Sequence, residues 1–85
     1  MGQNYSDIIV NRIEEFRTKR GLSVRALSEM SDVKYTTLEN ILRKNTTNPQ
    51  MQTIHKIALA FGMTFAEFAD FPELNEFSFE ENEDE

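Results

Sequence analysis

The residues in this chain that could do chemistry are recognition groups, not catalytic ones. Acid–base or nucleophilic catalysis needs a paired nucleophile and base, and a metal site needs several His, Cys or acidic ligands at set spacing. The chain has one histidine, His55, and no cysteine. Neither arrangement is present, so no enzyme and no cofactor is expected, and His55 reads as a partly exposed helix residue. A different set stands out around YTTLEN. Tyr35, Thr36, Thr37 and Asn40 fall close together and are mediocre helix formers. A helix that turns them outward is built for contacts, not for stability. An Asn amide can pair bidentately with an adenine edge, and a Thr methyl or Tyr ring can touch a thymine methyl. Lys34, Arg43 and Lys44 surround this polar face. Cations there suit phosphate, which positions a protein on a duplex without reading its sequence.

These side chains need a rigid frame, and the stretch from Ser23 to Lys44 supplies one. It reads as two short helices joined by a turn. With Val24 as the first position, Ser28 falls fifth, Asp32 ninth, Val33 tenth, Leu38 fifteenth and Ile41 eighteenth. Two helices crossing through a short turn need a small residue where the backbones approach and apolar knobs where they pack. This spacing meets both needs and leaves one face of the second helix free for a major groove. Asp32 sits in the turn, where Asp tolerates the left-handed region better than most residues other than glycine.

Three further helices support the pair. Ile9, Ile13 and Phe16 recur at spacings of four and three and predict an amphipathic first helix. Ser6 is its expected N-cap and Gly21 its left-handed stop. Ser23 caps the second helix, which ends near Met30, with Leu22 and Leu27 as a staple. The third helix runs from about Tyr35 to Arg43. After the polar loop KNTTNPQ, a fourth helix starts between Pro49 and Met51. Its N-cap is either Asn48 or the poor cap Gln50. Met51, Ile54, Ile57, Ala58 and Phe61 form its buried stripe. Met30, Met51 and Met63 read as core filler. Thr64 to Glu67 forms a capping box for a short fifth helix, with Met63 and Phe68 as staple. Phe71-Pro72 then breaks the helix, and Phe71 and Leu74 are placed to dock back on the bundle.

Charge divides the chain. The 85 residues carry a net charge of −6, which on its face argues against a nucleic-acid partner. Yet residues 70–85 hold eight acids and no base, while residues 1–69 hold all nine Lys/Arg against seven acids, a net of +2. The expected organisation is one domain over 1–69, with its motif at 23–44, and an acidic tail over 70–85 that is partly disordered at its tip. Phe77 and Phe79 are unusual in a tail that only solubilises. Solubility is still the leading reading of the tail; the functional options are a dimer contact through Phe77 and Phe79, or a charge decoy that competes for the basic surface. No apolar run is long enough to span a membrane and no signal pattern opens the chain, so a cytoplasmic protein is expected.

Three segments in order, RIEEFRTKRGLS (12–23), LSEMSDVKYTTLENIL (27–42) and NPQMQTIHKIALAFGM (48–63), resemble the Cro/phage-repressor (Xre-like) helix-turn-helix family. The resemblance covers about residues 9–68. It implies an all-α fold, a compact five-helix lambda-repressor-like DNA-binding domain, here followed by the acidic tail. It implies a homodimer acting on a palindromic double-stranded DNA operator. By position, base readout falls on Tyr35, Thr36 and Asn40, with Thr37 and Arg43 nearby. Phosphate contacts fall on Lys34, Lys44, Asn45, Thr46 and the start of the second helix. The chain departs from the family pattern at four places. Val24 stands where Gln is usual, Asp32 where Gly is usual, and Leu42 where a Glu often pairs with the residue matching Arg17. Lys44 replaces a common Gly, which passes the left-handed cap to Asn45.

The expected function is a sequence-specific transcriptional regulator, a repressor of bacterial or phage type, with no small-molecule ligand evident. The alternative is a protein-interaction module, such as an antitoxin or adaptor, that uses the same fold and the acidic tail.

Overall fold

The computed structural model describes residues 4–45 and 48–80. Six helices follow one another: α1 Tyr5–Lys19, α2 Val24–Ser31, α3 Tyr35–Leu42, α4 Met51–Ala60, α5 Phe65–Ala69 and α6 Pro72–Asn75. The described residues contain no strand. Five of these helices match the sequence expectation, and α6 is additional. Where a break was expected, Pro72 opens a helix. Its fixed φ suits a first turn and its missing N–H costs nothing there.

Side-chain capping explains three of the six helix starts. Ser23 accepts from the Ala26 amide at 3.0 Å and starts α2. Thr64 and Glu67 make both bonds of a capping box, 3.0 and 2.9 Å, and start α5. At α1 the expected cap is corrected. Asn4, not Ser6, is the N-cap, accepting from the Asp7 amide at 3.0 Å. Asn caps as well as Ser. Ser6 lies one turn further in, buried, and its hydroxyl donates to Asn4 Oδ1 at 3.2 Å. Gln50 precedes α4 with no side-chain cap bond.

The first four helices all stop in one way. A residue with positive φ follows each, at Gly21 (64°), Asp32 (60°), Lys44 (63°) and Gly62 (77°). The next amide then reaches back five residues: Leu22 to Arg17 O, Val33 to Ser28 O, Asn45 to Asn40 O and Met63 to Ala58 O, at 2.9–3.3 Å. These are Schellman-type closures, which satisfy carbonyls that the helix leaves open. Lys44 itself takes the left-handed conformation, not Asn45. The reason is helix length: α3 ends at Leu42 with Arg43 as its cap, so the left-handed position falls on residue 44 whatever stands there.

One apolar cluster joins α1 to α5 through Val10, Ile13, Leu27, Val33, Leu38, Ile41, Ile54, Ile57, Ala58, Phe61 and Phe68. The register of α1 is wider than predicted. Ile9 and Phe16 are half-buried against the core, whereas Ile8 and Val10 are buried together with Ile13. A second layer explains this. Phe71 is buried outside the main cluster and shares a small cleft with Ile8 and Arg12, so α1 has two covered faces. Two methionines do not fill the core. Met51 is 71 % exposed because α1, α5 and α6 leave a groove of about 440 Å³ beside the first turn of α4. Met30 is 53 % exposed because Leu27 and Ser31 take the inward positions of α2. Met63 is half-buried against the core, as expected.

Arg12 ties the end of α5 and Phe71 to α1. Its Nε donates to Phe68 O at 3.0 Å, and its guanidinium lies 4.6 Å from the Phe16 ring centre and 4.4 Å from that of Phe71. Beyond α6, Phe77 and Phe79 pack on Tyr5 at the start of α1, each with ring centres 5.3 Å from it. The acidic tip at 81–85 lies outside the described residues.

Candidate nucleic-acid interface

Helix α3 is held by two buried residues and offers the rest of its surface. Leu38 is fully buried and Ile41 is 2 % exposed. Their three-residue spacing fixes the rotation of the helix and turns Thr36, Thr37 and Asn40 outward. Among the described residues, none of these three side chains makes a hydrogen bond or ion pair. Three polar side chains therefore stand together on the exposed surface of α3.

The turn that aims α3 is built from α2. Ser28 was expected only as a small residue at the crossing. Its hydroxyl also donates to Val33 O at 2.6 Å, pinning the chain on the far side of the turn. Ser31 donates to Leu27 O at 2.7 Å and so can be buried without loss. Asp32 completes the turn in the left-handed region.

The expected phosphate contacts divide. Lys34 is the exposed N-cap residue of α3 and makes no cap bond, because an ammonium only donates. Among the described residues, the first-turn amides of α3 consequently have no side-chain cap, and the helix dipole leaves partial positive charge there. Lys44 and Asn45 are exposed just past the other end of α3. Thr46 lies outside the described residues. Arg43 is exposed but engaged, its Nη2 lying 3.1 Å from Glu39 Oε2. At the start of α2, Val24 is half-buried against the core. Arg17 has found another carboxylate, with Nη2 at 2.7 Å from Glu14 Oε1, and it also donates to Leu22 O at 2.7 Å.

Tyr35 is the most constrained of the expected readers. It is half-buried, its hydroxyl lies 3.4 Å from Glu39 Oε2, and the Arg25 guanidinium sits 4.7 Å from its ring centre. Arg25 and Glu39 belong to no sequence motif of their own. The one available signal was the spacing of Tyr35, Glu39 and Arg43 at i, i+4 and i+8, which places all three on one side of α3.

An exposed polar helix set by a short turn against a second helix is the arrangement of a DNA-binding helix-turn-helix regulator. Residues 13–68 match the profile of the helix-turn-helix family of the Cro/C1 (Xre-like) type, and the chain belongs to that family. No curated protein and no solved structure matches the chain. Among the described residues, no helix is long and apolar enough to cross a membrane.

Proposed function

We propose that this chain is a sequence-specific transcriptional repressor that reads the major groove with α3. It acts as a homodimer, in the cytoplasm, on a palindromic operator. Two copies would set their α3 helices in successive major grooves about 34 Å apart. Base contacts come from Thr36, Thr37 and Asn40, with Tyr35 beside them. Lys34, Lys44, Asn45 and Thr46 hold phosphate, joined by Arg43. The observation that carries this reading is the unpartnered Thr36–Thr37–Asn40 face on a helix whose rotation Leu38 and Ile41 fix. The uncapped N-terminus of α3 supports it, since a phosphate there would meet free amides and the positive end of the dipole.

The test is a selection of preferred duplexes on the purified full chain, followed by anisotropy titration. The logarithm of the affinity should fall linearly with the logarithm of salt concentration, because neutralised phosphates release counterions. Asn40→Ala should cost about 1–3 kcal/mol on the preferred duplex and much less on a random one. Absence of salt-sensitive binding would overturn the reading in favour of a protein-interaction module. Equal losses on both duplexes would remove Asn40 from base readout.

A further inference from the structure

Tyr35, Glu39 and Arg43 share one side of α3, and Arg25 reaches across from α2 to join them. A single carboxylate oxygen, Glu39 Oε2, lies 3.4 Å from the Tyr35 hydroxyl and 3.1 Å from Arg43 Nη2. Arg25 sits over the Tyr35 ring at 4.7 Å from its centre. The Glu39 side chain is 33 % exposed while that of Arg43 is 68 % exposed. The Glu39 side chain is therefore the more buried member of the ion pair. A carboxylate beside a surface meant for phosphate repels it, so its presence there needs a reason.

We infer that Glu39 is a positioning residue for the reading face: through one oxygen it fixes the Tyr35 ring and the Arg43 guanidinium before DNA arrives. The inference rests on the assignment of α3 as the reading helix. Arg43 uses one of its five N–H donors on Glu39. The others remain for phosphate, so the ion pair orients the side chain without consuming it. Tyr35 is held from both sides, by Arg25 on its face and by Glu39 at its hydroxyl. Side chains locked before binding lose less conformational freedom on binding, and the saving appears as affinity for the one geometry they are locked in. The carboxylate thus weakens attachment to a random duplex and raises the ratio of specific to random affinity.

Glu39→Gln and Glu39→Ala separate this role from a charge effect. Both remove the same negative charge, so both should raise affinity for a random duplex alike. Only Gln keeps an acceptor within reach of Tyr35 and Arg43. With the selected duplex, Glu39→Ala should lower the ratio of specific to random affinity roughly tenfold, the size of a coupled contact. Glu39→Gln should keep most of that ratio. Tyr35→Phe should reproduce part of the Ala loss and add nothing further in the Glu39→Ala background. Equal ratios for Gln and Ala would overturn the positioning role alone. So would a Gln variant that selects a different base at one position, because Glu39 would then be reading cytosine directly. A wild-type chain with no preferred duplex would overturn the DNA assignment itself, and this role with it.

Discussion

Lys44 and Asp32 each hold a backbone conformation that costs a residue with a Cβ about 1–2 kcal/mol. Asp recovers part of that cost through its short polar side chain; Lys has no such means. Lys44→Gly should therefore stabilise the chain by about 1 kcal/mol, read as a shift in urea midpoint, while reducing the salt slope of DNA binding by about one. Asp32→Gly should stabilise by less and leave the slope unchanged. A Lys44→Gly variant no more stable than wild type would show that the strain is compensated elsewhere. Asp32 was legible as a left-handed residue because its place in the spacing demands one. Lys44 was not, since Asn45 beside it has the better intrinsic preference and only the observed end of α3 decides between them. Thr36, Thr37 and Asn40 were legible as outward-facing polar residues of α3 from their composition and spacing. Glu39 and Arg25 were harder, because their effect runs through Tyr35 and not through a motif.

At the scale of elements, capping chemistry marks two of the six helices in the sequence. Ser23 and the Thr64/Glu67 box name their helices outright, because each bond spans three residues. Arg12 works over a different range. Its bond to Phe68 O joins residues 56 apart in sequence, and no local pattern reports such a contact. It gathers the end of α5, the ring of Phe16 and the ring of Phe71, and through Phe71 it brings α6 onto α1. This is why Ile8 is buried although the predicted apolar stripe passes it by. A double-mutant cycle of Arg12→Ala and Phe71→Ala, followed by urea unfolding, should show a coupling of about 1 kcal/mol. Additive losses would mean that Phe71 is held by burial against Ile8 alone.

Across the whole molecule, a mildly basic body carries a strongly acidic end. Phe71, Phe77 and Phe79 decide how that end can be studied. A chain cut after Ala69 would lose Phe71 from its buried site and the rings on Tyr5, mixing stability with charge. A chain cut after Glu80 keeps these contacts and removes only Glu81, Asn82, Glu83, Asp84 and Glu85. If the acidic end competes with DNA for the basic surface, the shorter chain should bind a random duplex severalfold more tightly at low salt, with the gain fading as salt rises. Unchanged affinity at every salt concentration would exclude competition. The four helix stops also have a consequence for how the molecule breathes. Glycine closes α1 and α4, where the left-handed turn is free of strain, while Asp32 and Lys44 close α2 and α3 under load. Helix α3, the proposed reading helix, is thus bracketed by the two strained stops, and sub-global opening should begin there. Amide hydrogen exchange should run fastest through α3 in the free protein and slow most in the same segment when an operator is added.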